Sequence, residues 1–508
     1  MTAGAVPNRG LITLGVVIST FMSALDTTVA NISLPHMQGN LSASPEQITW
    51  VITSYIVAQA VAIPVSGWLA ARFGIKPMLL ACIAAFTVAS VLVGLATSLP
   101  QLVAFRVLQG AVAAPLMPLT QTVLFNINPP ERHGNAMAMF TLAAVVAPAL
   151  GPVVGGWLTE NLSWRWCFFI NVPAGLVSML LIAVFLPGAR VEQRRFDFLG
   201  FGALSVALIA FQLMVDRGTT LDWFDSREIW IEATVAGTGL FVFLVHTATT
   251  RNPMFPPVLL RDRNYVTSIV LGFFFSVMMF SSFTLMPLMM QGLLGYSVLH
   301  AGYLSTPRGV LMLVMLPFMG RLDALVDRRI LMAAGLSILV ISFWWMAHFD
   351  LSMSGEQIVL ATMLQGLGQA LLFVPLSTFG FATIAPELRP EASSFSILIR
   401  NLGGSAGVAA LQALTVANGQ TMHASLAANV TPDDPVLRAL TPELLSPDTV
   451  HGAMALDAEI ARQALMVAYV NDFWLLTLIC ALCIPLVLLI RKMPRGSGNA
   501  GPAEAGRH

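Results

Sequence analysis

The sequence predicts an all-α polytopic membrane protein, made of two related six-helix bundles and two extra helices between them. Three observations lead to this fold class. Of the 508 residues, 56% are hydrophobic and only 10% are charged, whereas soluble domains carry about 25% charged residues. Fourteen apolar stretches are long enough to cross a bilayer, which takes about 20 residues. The two halves of the chain also repeat the same short motifs.

The predicted spans follow one another along the whole chain, and the seventh and eighth have the least sharply defined ends. The fourteen spans are 11–35, 47–70, 77–98, 101–125, 134–158, 167–187, 198–216, 229–248, 265–291, 299–320, 330–348, 356–380, 392–417 and 469–491. Cytoplasmic loops carry an excess of Lys and Arg. With the N-terminus in the cytoplasm, 18 of the 26 Lys and Arg residues fall inside and 5 outside. This asymmetry supports the count of fourteen spans and predicts that both termini lie in the cytoplasm.

A repeat relates the two halves. Leu108-Gln109-Gly110 recurs as Leu364-Gln365-Gly366, 256 residues later. Such repeats are typical of secondary transporters, whose substrate site lies between the halves near the bilayer midplane. The alignment predicts an N-terminal six-helix bundle at 1–190, a linker with two additional transmembrane helices at 191–262, and a C-terminal six-helix bundle at 263–508.

Only one long hydrophilic loop interrupts the second bundle, at 418–468, and its predicted location is periplasmic. A loop of this length is more often functional than a mere connection. The sequence has no G-x-x-x-x-G-K-[ST] phosphate-binding motif. Transport would therefore use an ion gradient and not nucleotide hydrolysis.

Asp26 lies in the middle of the first span, in Ser23-Ala-Leu-Asp26-Thr-Thr-Val-Ala-Asn31. An ionisable residue at that depth is costly and marks a proton or ligand site by default. Ser19, Ser23, Ala30 and Ser33 recur with it every three or four residues, which places them on one helical face. That face is small and polar, and is expected to face the bundle interior. The alternative is a structural carboxylate held by one neighbouring helix.

Arg106 is the expected partner of Asp26. It lies about 9 Å below the outer end of the fourth span and Asp26 about 14 Å below the outer end of the first, at the helical rise per residue. Two long side chains can bridge that difference. Burial favours the neutral form of the Asp26 carboxyl, and a neighbouring guanidinium favours its charged form. Movement of Arg106 away from Asp26 would therefore favour binding of a proton, and its return would favour release. The alternative is an arginine that snorkels to the interface or only locks its helix.

Further polar residues within the spans are candidates for contact with a substrate in a central cavity. They are Asn31, Gln109, Arg308, Gln365, Arg400 and Asn401. The only acidic residues in the second-half spans, Glu356 and Asp472, lie near span ends. Arg308 and Arg400 must therefore pair with backbone carbonyls, with substrate, or with a carboxylate at a helix end such as Asp472.

Two segments that contain glycines are further candidate functional sites. The fifth span contains Pro148, Gly151, Pro152, Gly155 and Gly156, and small residues at this spacing let helices approach closely. The segment is interpreted as a seal between the halves, or else as ordinary close packing. Between the second and third spans, Gly67, Arg72, Gly74 and Lys76 form a basic turn. It has either a gating role or only the positive charge expected of a cytoplasmic loop.

These residues carry a family resemblance over nearly the whole chain. Leu25–Asn31 with Leu34-Pro35, Phe105–Gly110, Pro148–Gly156 and Trp164–Pro173 match, in order, motifs of one group. The chain resembles the major facilitator superfamily, in its fourteen-helix drug/proton antiporter branch of the EmrB/QacA type. One motif departs, because Ala71 stands where the superfamily usually has Asp. The resemblance therefore does not carry over any ion pair that this Asp would form to lock one conformation of the protein.

The resemblance implies the major facilitator fold and multidrug efflux across the bacterial inner membrane by a proton-coupled antiporter. It also implies lipophilic substrates, no cofactor other than the proton gradient, no nucleic acid, and a possible periplasmic adaptor and outer-membrane channel. Two alternatives remain: a dedicated exporter of one natural product, fatty acid or siderophore, and a membrane sensor that binds ligand without moving it. An enzyme is not expected, because the eight His residues are scattered singly and no nucleophile–base set is evident.

Overall fold

The computed structural model describes residues 8–129, 132–188, 196–430 and 449–488, and that part of the chain is helical with no strand. Asn8, with a left-handed backbone conformation, precedes the first helix. At the start of four other helices, a side-chain oxygen accepts a hydrogen bond from a backbone N–H of the first turn; these capping residues are Ser44, Asp197, Asp262 and Asp327. The helices are α1 (Arg9–Leu41), α2 (Pro45–Phe73), α3 (Ile75–Leu95), α4 (Leu99–Ala113), α5 (Leu116–Ile127), α6 (His133–Thr141), α7 (Ala147–Asn161), α8 (Trp166–Phe169), α9 (Asn171–Phe185), α10 (Phe198–Arg217), α11 (Arg227–Thr249), α12 (Arg263–Gly292), α13 (Val298–Leu325), α14 (Arg328–Met346), α15 (Gly355–Phe381), α16 (Arg389–Ala428) and α17 (Val450–Leu488).

Twelve helices in the described residues are long and apolar enough to cross a membrane. Two further helical segments, α6 to α7 and α13, occupy the positions predicted for the fifth and tenth spans. The polytopic all-α fold is confirmed, and the count of fourteen transmembrane helices stays a prediction.

The predicted fifth span is interrupted. Residues Leu142–Val146 form a π-helical segment between α6 and α7, with Pro148 in the first turn of α7. Proline cannot donate a backbone hydrogen bond and its ring crowds the preceding turn. Single-turn π segments within helices are frequent at functional sites. This one directly precedes the glycine-rich segment described below.

The helices form two bundles that repeat the same close approach. In the first, α1 packs on α7 and α9, and α2 on α4; in the second, α12 packs on α16, and α13 on α15. A Cβ added at Gly110 would lie 2.3 Å from the carbonyl oxygen of Tyr55, and one at Gly366 would lie 2.3 Å from that of Arg308. Backbones this close admit only glycine. The motif repeat in the sequence is thus a repeat of helix contacts.

The extra helices α10 and α11 pack against each other, and α10 also contacts α2. Thr53 on α2 donates a hydrogen bond to Asp216 on α10, with 2.5 Å between the oxygens. The division of the chain at 190 and 263 stays a prediction. Residues 191–195, at the start of the expected linker, lie outside the described residues.

The two bundles meet along α2 and α16 and along α13 with α6 and α7. Near the ends that the basic residues predict to be cytoplasmic, Ser66 and Ser394 are hydrogen-bonded at 2.7 Å, and Arg389 Nη1 donates to Asn126 Oδ1 at 2.9 Å. The rings of Phe125 and Phe381 stack with centroids 5.1 Å apart. These contacts close the space between the bundles at that end.

Helices extend from both sides into the stretch 418–468 that the sequence predicts as a periplasmic loop, and its location stays a prediction. Helix α16 continues to Ala428 and α17 begins at Val450, and His423 Nε2 lies 2.9 Å from Asp457 Oδ1 across the resulting hairpin. Alanine-rich sequence before Asn429 favours helix, and the apolar-span criterion ends a helix where its polarity rises. Residues 431–448, with the prolines of this segment, lie outside the described residues.

Candidate functional site

Asp26 is buried in the first bundle, with 2% of its surface exposed. It lies on α1 with Ser19, Ser23, Ala30 and Ser33, and all four are buried as well. The small polar face of this helix therefore packs inside the protein, as its periodicity predicts.

Three side chains donate hydrogen bonds to the Asp26 carboxylate. Arg106 Nη1 lies 2.6 Å from Oδ2, and Gln109 Nε2 lies 3.0 Å from Oδ1. Asn171 Nδ2 lies 2.9 Å from the same Oδ1. Arg106 and Gln109 come from α4 and Asn171 from α9, so helices from three parts of the first bundle meet at one carboxylate.

A second ring of contacts orients these donors. Gln109 Nε2 and Asn171 Nδ2 also donate to Ser90 Oγ, at 2.8 and 3.2 Å. Arg106 Nε donates to the Val51 carbonyl at 3.0 Å, and its guanidinium lies 4.2 Å from the centre of the Tyr55 ring. Arg106 Nη2 is buried without a hydrogen-bond partner in the described part of the chain. These contacts fix the position of the Arg106 side chain, while its Nη2 makes no hydrogen bond to the described residues.

The donors offset the cost of burying the Asp26 carboxylate. Burial disfavours a charged carboxylate, and three donors, one of them cationic, offset that cost. Because these donors lie on α4 and α9, the hydrogen bonds of Asp26 depend on how both helices pack against α1.

The glycine-rich segment of α7 lies beside this cluster. A Cβ at Gly151 would lie 2.0 Å from Thr28 Oγ1, and one at Gly155 would lie 3.2 Å from Val29 Cα. Gly156 has nothing within 4 Å, and Pro148 is half-buried. Pro152 lies in the same helix. Gly151 and Gly155 therefore hold α7 against the turn of α1 that follows Asp26, and Gly156 does not.

The second bundle holds a buried arginine in the corresponding region. Arg308 Nη1 donates to Gln365 Oε1 at 2.7 Å and to Ser282 Oγ at 3.3 Å, and its guanidinium lies 3.8 Å from the Phe283 ring centre. Arg308 Nε and Gln365 Nε2 are buried without partners among the described residues. Both of these hydrogen-bond partners of Arg308, Ser282 and Gln365, are neutral.

The idea that Asp472 pairs with one of the second-half arginines was wrong. Asp472 is buried and accepts a hydrogen bond from Thr415 on α16. Thr415 and Arg400 are fifteen residues apart on one helix, a rise of about 22 Å. The carboxylate therefore belongs to the α16–α17 contact.

The other cavity candidates are dispersed. Arg400 lies with its guanidinium 5.3 Å from the Phe373 ring centre, and Asn401 beside it is half-buried. Asn31 is exposed and does not join the cluster at Asp26. Of the six candidates, Gln109 alone touches Asp26, and Gln365 touches Arg308.

The basic turn brings the two bundles together at one point. A Cβ at Gly67 would lie 3.0 Å from Glu391 Cα, so α2 and the start of α16 nearly touch. Gly74 has φ 89°, which favours glycine, and it ends α2 and begins α3. Arg72 is exposed over the Trp68 ring, and Lys76 is half-buried.

Sequence reasoning missed Asn171, Ser90 and Tyr55 as members of the cluster. Asn171 falls within a motif that carries the family resemblance, which was the one available signal. Ser90 and Tyr55 are neutral residues in apolar helices, and such residues are common at helix contacts. No group of three His, Cys, Asp or Glu side chains in the described ranges could hold a metal ion.

Comparison with known proteins shows a relationship over most of the chain. The sequence model described as Major Facilitator Superfamily matches residues 16–408. The chain is 34% identical over 498 residues to the multidrug export protein EmrB of Escherichia coli K12, covering 97% of each protein. It is 34% identical over 495 residues to the fatty acid resistance protein FarB of Neisseria gonorrhoeae, covering 96% of this chain and 97% of that protein.

Solved structures agree in fold. The human organic anion transporter MFSD10 superposes with a TM-score of 0.61 at 15% identity, covering 93% of this chain and all of that one. The proton:xylose symporter XylE superposes with a TM-score of 0.57 at 14% identity, covering 92% of this chain and 94% of that one. At these identities the likeness concerns the fold alone.

Proposed function

Because the chain belongs to the major facilitator superfamily, and is therefore a multi-pass membrane transporter and not an enzyme, we propose that it is a proton-coupled antiporter. It exports lipophilic small molecules across the bacterial inner membrane. The observation that carries the proposal is the buried Asp26–Arg106 ion pair, both of whose side chains are 0% exposed.

The proton cycle follows from the contacts of Asp26. In the described state the Asp26 carboxyl accepts hydrogen bonds from Arg106, Gln109 and Asn171, and the proposed cycle takes this as its deprotonated state. As the bundles rock, α4 shifts against α1 within the first bundle and withdraws donors, so the carboxyl takes a proton from the side to which the cavity is open. Return of the donors expels that proton on the other side. Substrate and proton then occupy the protein alternately, which is antiport.

The close packing of Gly151 and Gly155 on α1 supports tight coupling. It holds the turn of Thr28 and Val29 in place beside Asp26. We assign this contact the role of a seal that prevents protons from passing when no substrate moves. The Gly67–Glu391 contact and the serine pair Ser66–Ser394 act as the gate at the cytoplasmic end.

Lipophilic substrates are supported by the names of relatives, a multidrug export protein and a fatty acid resistance protein. The second name also favours the alternative of a dedicated exporter of one acid. A non-transporting sensor is the alternative of another class. It would bind ligand without exchanging labelled for unlabelled substrate across a vesicle membrane, so counterflow separates the two.

Orientation and partners are part of the proposal. The excess of basic residues supports cytoplasmic termini, which places the α16–α17 hairpin in the periplasm. This hairpin extends beyond the apolar part of both helices and offers a surface for a periplasmic adaptor that leads to an outer-membrane channel.

The proposal is tested by substrate-induced proton release. Purified protein is reconstituted in vesicles with a pH-sensitive dye, and lipophilic cations, neutral compounds and acids are added without an imposed gradient. At least one class should release protons in proportion to the protein. The absence of release and of counterflow with every class, in vesicles that contain folded protein, would contradict antiport.

A further inference from the structure

A small cavity lies between the bundles, away from the Asp26 cluster. One wall is Gln121 on α5 of the first bundle, and the rest comes from α12, α15 and α16 of the second. Its polar lining includes Tyr265, Ser268, Ser377 and Arg400. The space in the described state fits about one water-sized group. Because its walls belong to both bundles, the cavity must widen when they part.

Three buried polar atoms that line this cavity have no partner in the described part of the chain. They are Gln121 Oε1, Ser268 Oγ and Ser377 Oγ, on side chains that are 0%, 9% and 5% exposed. Buried polar atoms are nearly always hydrogen-bonded to protein, water or ligand, so three around one cavity mark a place where a polar group of a ligand can bind. The Tyr265 hydroxyl is excluded from this set, because it donates to the Ala392 carbonyl at 2.6 Å.

The cavity also carries an unpaired positive charge. The Arg400 stem lies beside Gly272, where a Cβ would be 3.4 Å from Arg400 Cγ, and its guanidinium lies over Phe373. No carboxylate pairs with Arg400 in the described residues. In the first bundle, by contrast, Arg106 has Asp26. Arg400 is half-buried, and a partly desolvated cation without a counter-charge is costly, so an anionic ligand would lower that cost.

The chemistry of the lining selects among anions. A guanidinium and two hydroxyl donors suit a carboxylate, whose two oxygens accept several hydrogen bonds. The Gln121 amide donates only to Met137 Sδ, at 4.0 Å, and turning its amide would present an N–H donor to the same ligand. Ile269, Leu376 and Phe381 form the apolar remainder of the wall. An apolar tail beside the head group would contact these side chains.

We propose that the Arg400 cavity is a head-group site for lipophilic carboxylates, which enter from the cytoplasmic side when the bundles part. The site rests on the proposed function and specifies its substrate class. The ligand bridges Gln121 of one bundle and Arg400 of the other, so its binding favours the state in which the two close around it. Proton and substrate then act at separate places, Asp26 within the first bundle and Arg400 between the bundles.

The test compares three probes with one chain length and different head groups: decanoate, decylamine and decanol. Binding of radiolabelled decanoate to the purified full-length protein is measured by scintillation proximity, with unlabelled probes as competitors. Wild type should prefer decanoate, and Arg400→Gln should weaken decanoate binding about tenfold or more, since hydrogen bonds to charged groups are the stronger kind. The affinity for decylamine should change less than about twofold.

Matched variants distinguish the loss of this binding site from a general loss of folding. Arg217→Gln removes an arginine from an exposed ion pair with Glu228, and should change nothing. Arg400→Lys keeps the charge and should retain most of the preference for decanoate. If Arg400→Gln does not fold, Ser268→Ala and Ser377→Ala should each weaken decanoate binding alone. Equal loss for all three probes, or unchanged decanoate binding in Arg400→Gln and both serine variants, would overturn the site.

Two further outcomes are informative. Displacement of decanoate by acetate at equal concentration would indicate a small-anion site and overturn the lipophilic class. If the protein binds decylamine or decanol and exchanges them for protons but ignores decanoate, the antiport proposal stands and the Arg400 site falls. If decanoate binds as described and no probe moves against a gradient, the site survives and the antiport proposal fails.

Discussion

Gly151 and Gly156 lie five residues apart on one helix and should respond oppositely to the same change. Replacing either glycine with alanine adds one methyl group to α7. At Gly151 that methyl would lie 2.0 Å from Thr28 Oγ1 and 2.5 Å from Thr28 Cβ. At Gly156 it would meet nothing within 4 Å. The comparison isolates the contact between α7 and α1 from every other effect of the substitution.

The magnitudes follow from two opposing effects. Alanine in a helix interior is favoured over glycine by about 1 kcal/mol, and this gain applies at both positions. Overpacking a well-packed contact costs about 1–3 kcal/mol, and it applies at Gly151 alone, because α7 must move away from α1 or Thr28 must turn. Gly156→Ala should therefore be neutral or stabilising, and Gly151→Ala should unfold at lower temperature than Gly156→Ala.

The assay has a structural and a functional part. Thermal unfolding of the two purified variants gives the order of stability. Passive proton entry into reconstituted vesicles without substrate then tests the seal, and only Gly151→Ala should raise it. Equal stability and equal leak in the two variants would refute the assignment of a seal to this contact.

Three other predictions test separate parts of the account. Asp26→Asn and Arg106→Ala together should lose less uphill transport than the sum of the two single losses, because either change alone breaks one unit; additive losses, measured with expression checked, would contradict the coupling. Single cysteines at Thr97 and Phe73, both exposed, should react with an impermeant maleimide in spheroplasts at Thr97 only; the four native cysteines are buried, and the reverse pattern would invert the topology. Deleting residues 430–460 should spare transport in vesicles and reduce whole-cell resistance, whereas equal loss in both assays would show that the hairpin supports the fold.

Much of the fold and the centre of the site could be predicted from sequence. A carboxylate in an apolar span is conspicuous, and the depth of Arg106 on its helix follows from the rise per residue. The motif repeated at Leu108–Gly110 and Leu364–Gly366 indicated that the two halves are related. These features depend on spacing along one chain, which the sequence gives directly.

The features that were missed depend on helix rotation and packing partners. Asn171 and Ser90 are neutral side chains whose importance comes from the carboxylate they meet. Asp472 was one of several possible partners for the second-half arginines because it lies at a helix end, yet it faces Thr415 on the neighbouring helix. The extension of α16 to Ala428 was not predicted, because hydropathy marks the end of a span and not the end of a helix. Tertiary contacts decide which side chains meet and how far such a helix continues.

Asp26→Asn bears most directly on the central claim, that the buried carboxylate couples protons to transport. The neutral amide leaves Arg106 without its counter-charge, and breaking a buried pair costs up to about 3–5 kcal/mol. The proposed cycle itself passes through a neutral carboxyl at this position, so the variant should still fold, as checked by thermal unfolding.

The decisive measurement is uphill substrate accumulation in vesicles driven by an imposed proton gradient, with counterflow measured in the same vesicles. The account predicts that Asp26→Asn retains counterflow and loses gradient-driven accumulation. Near wild-type accumulation by Asp26→Asn would contradict it, because the carboxylate would then be structural and coupling would lie elsewhere.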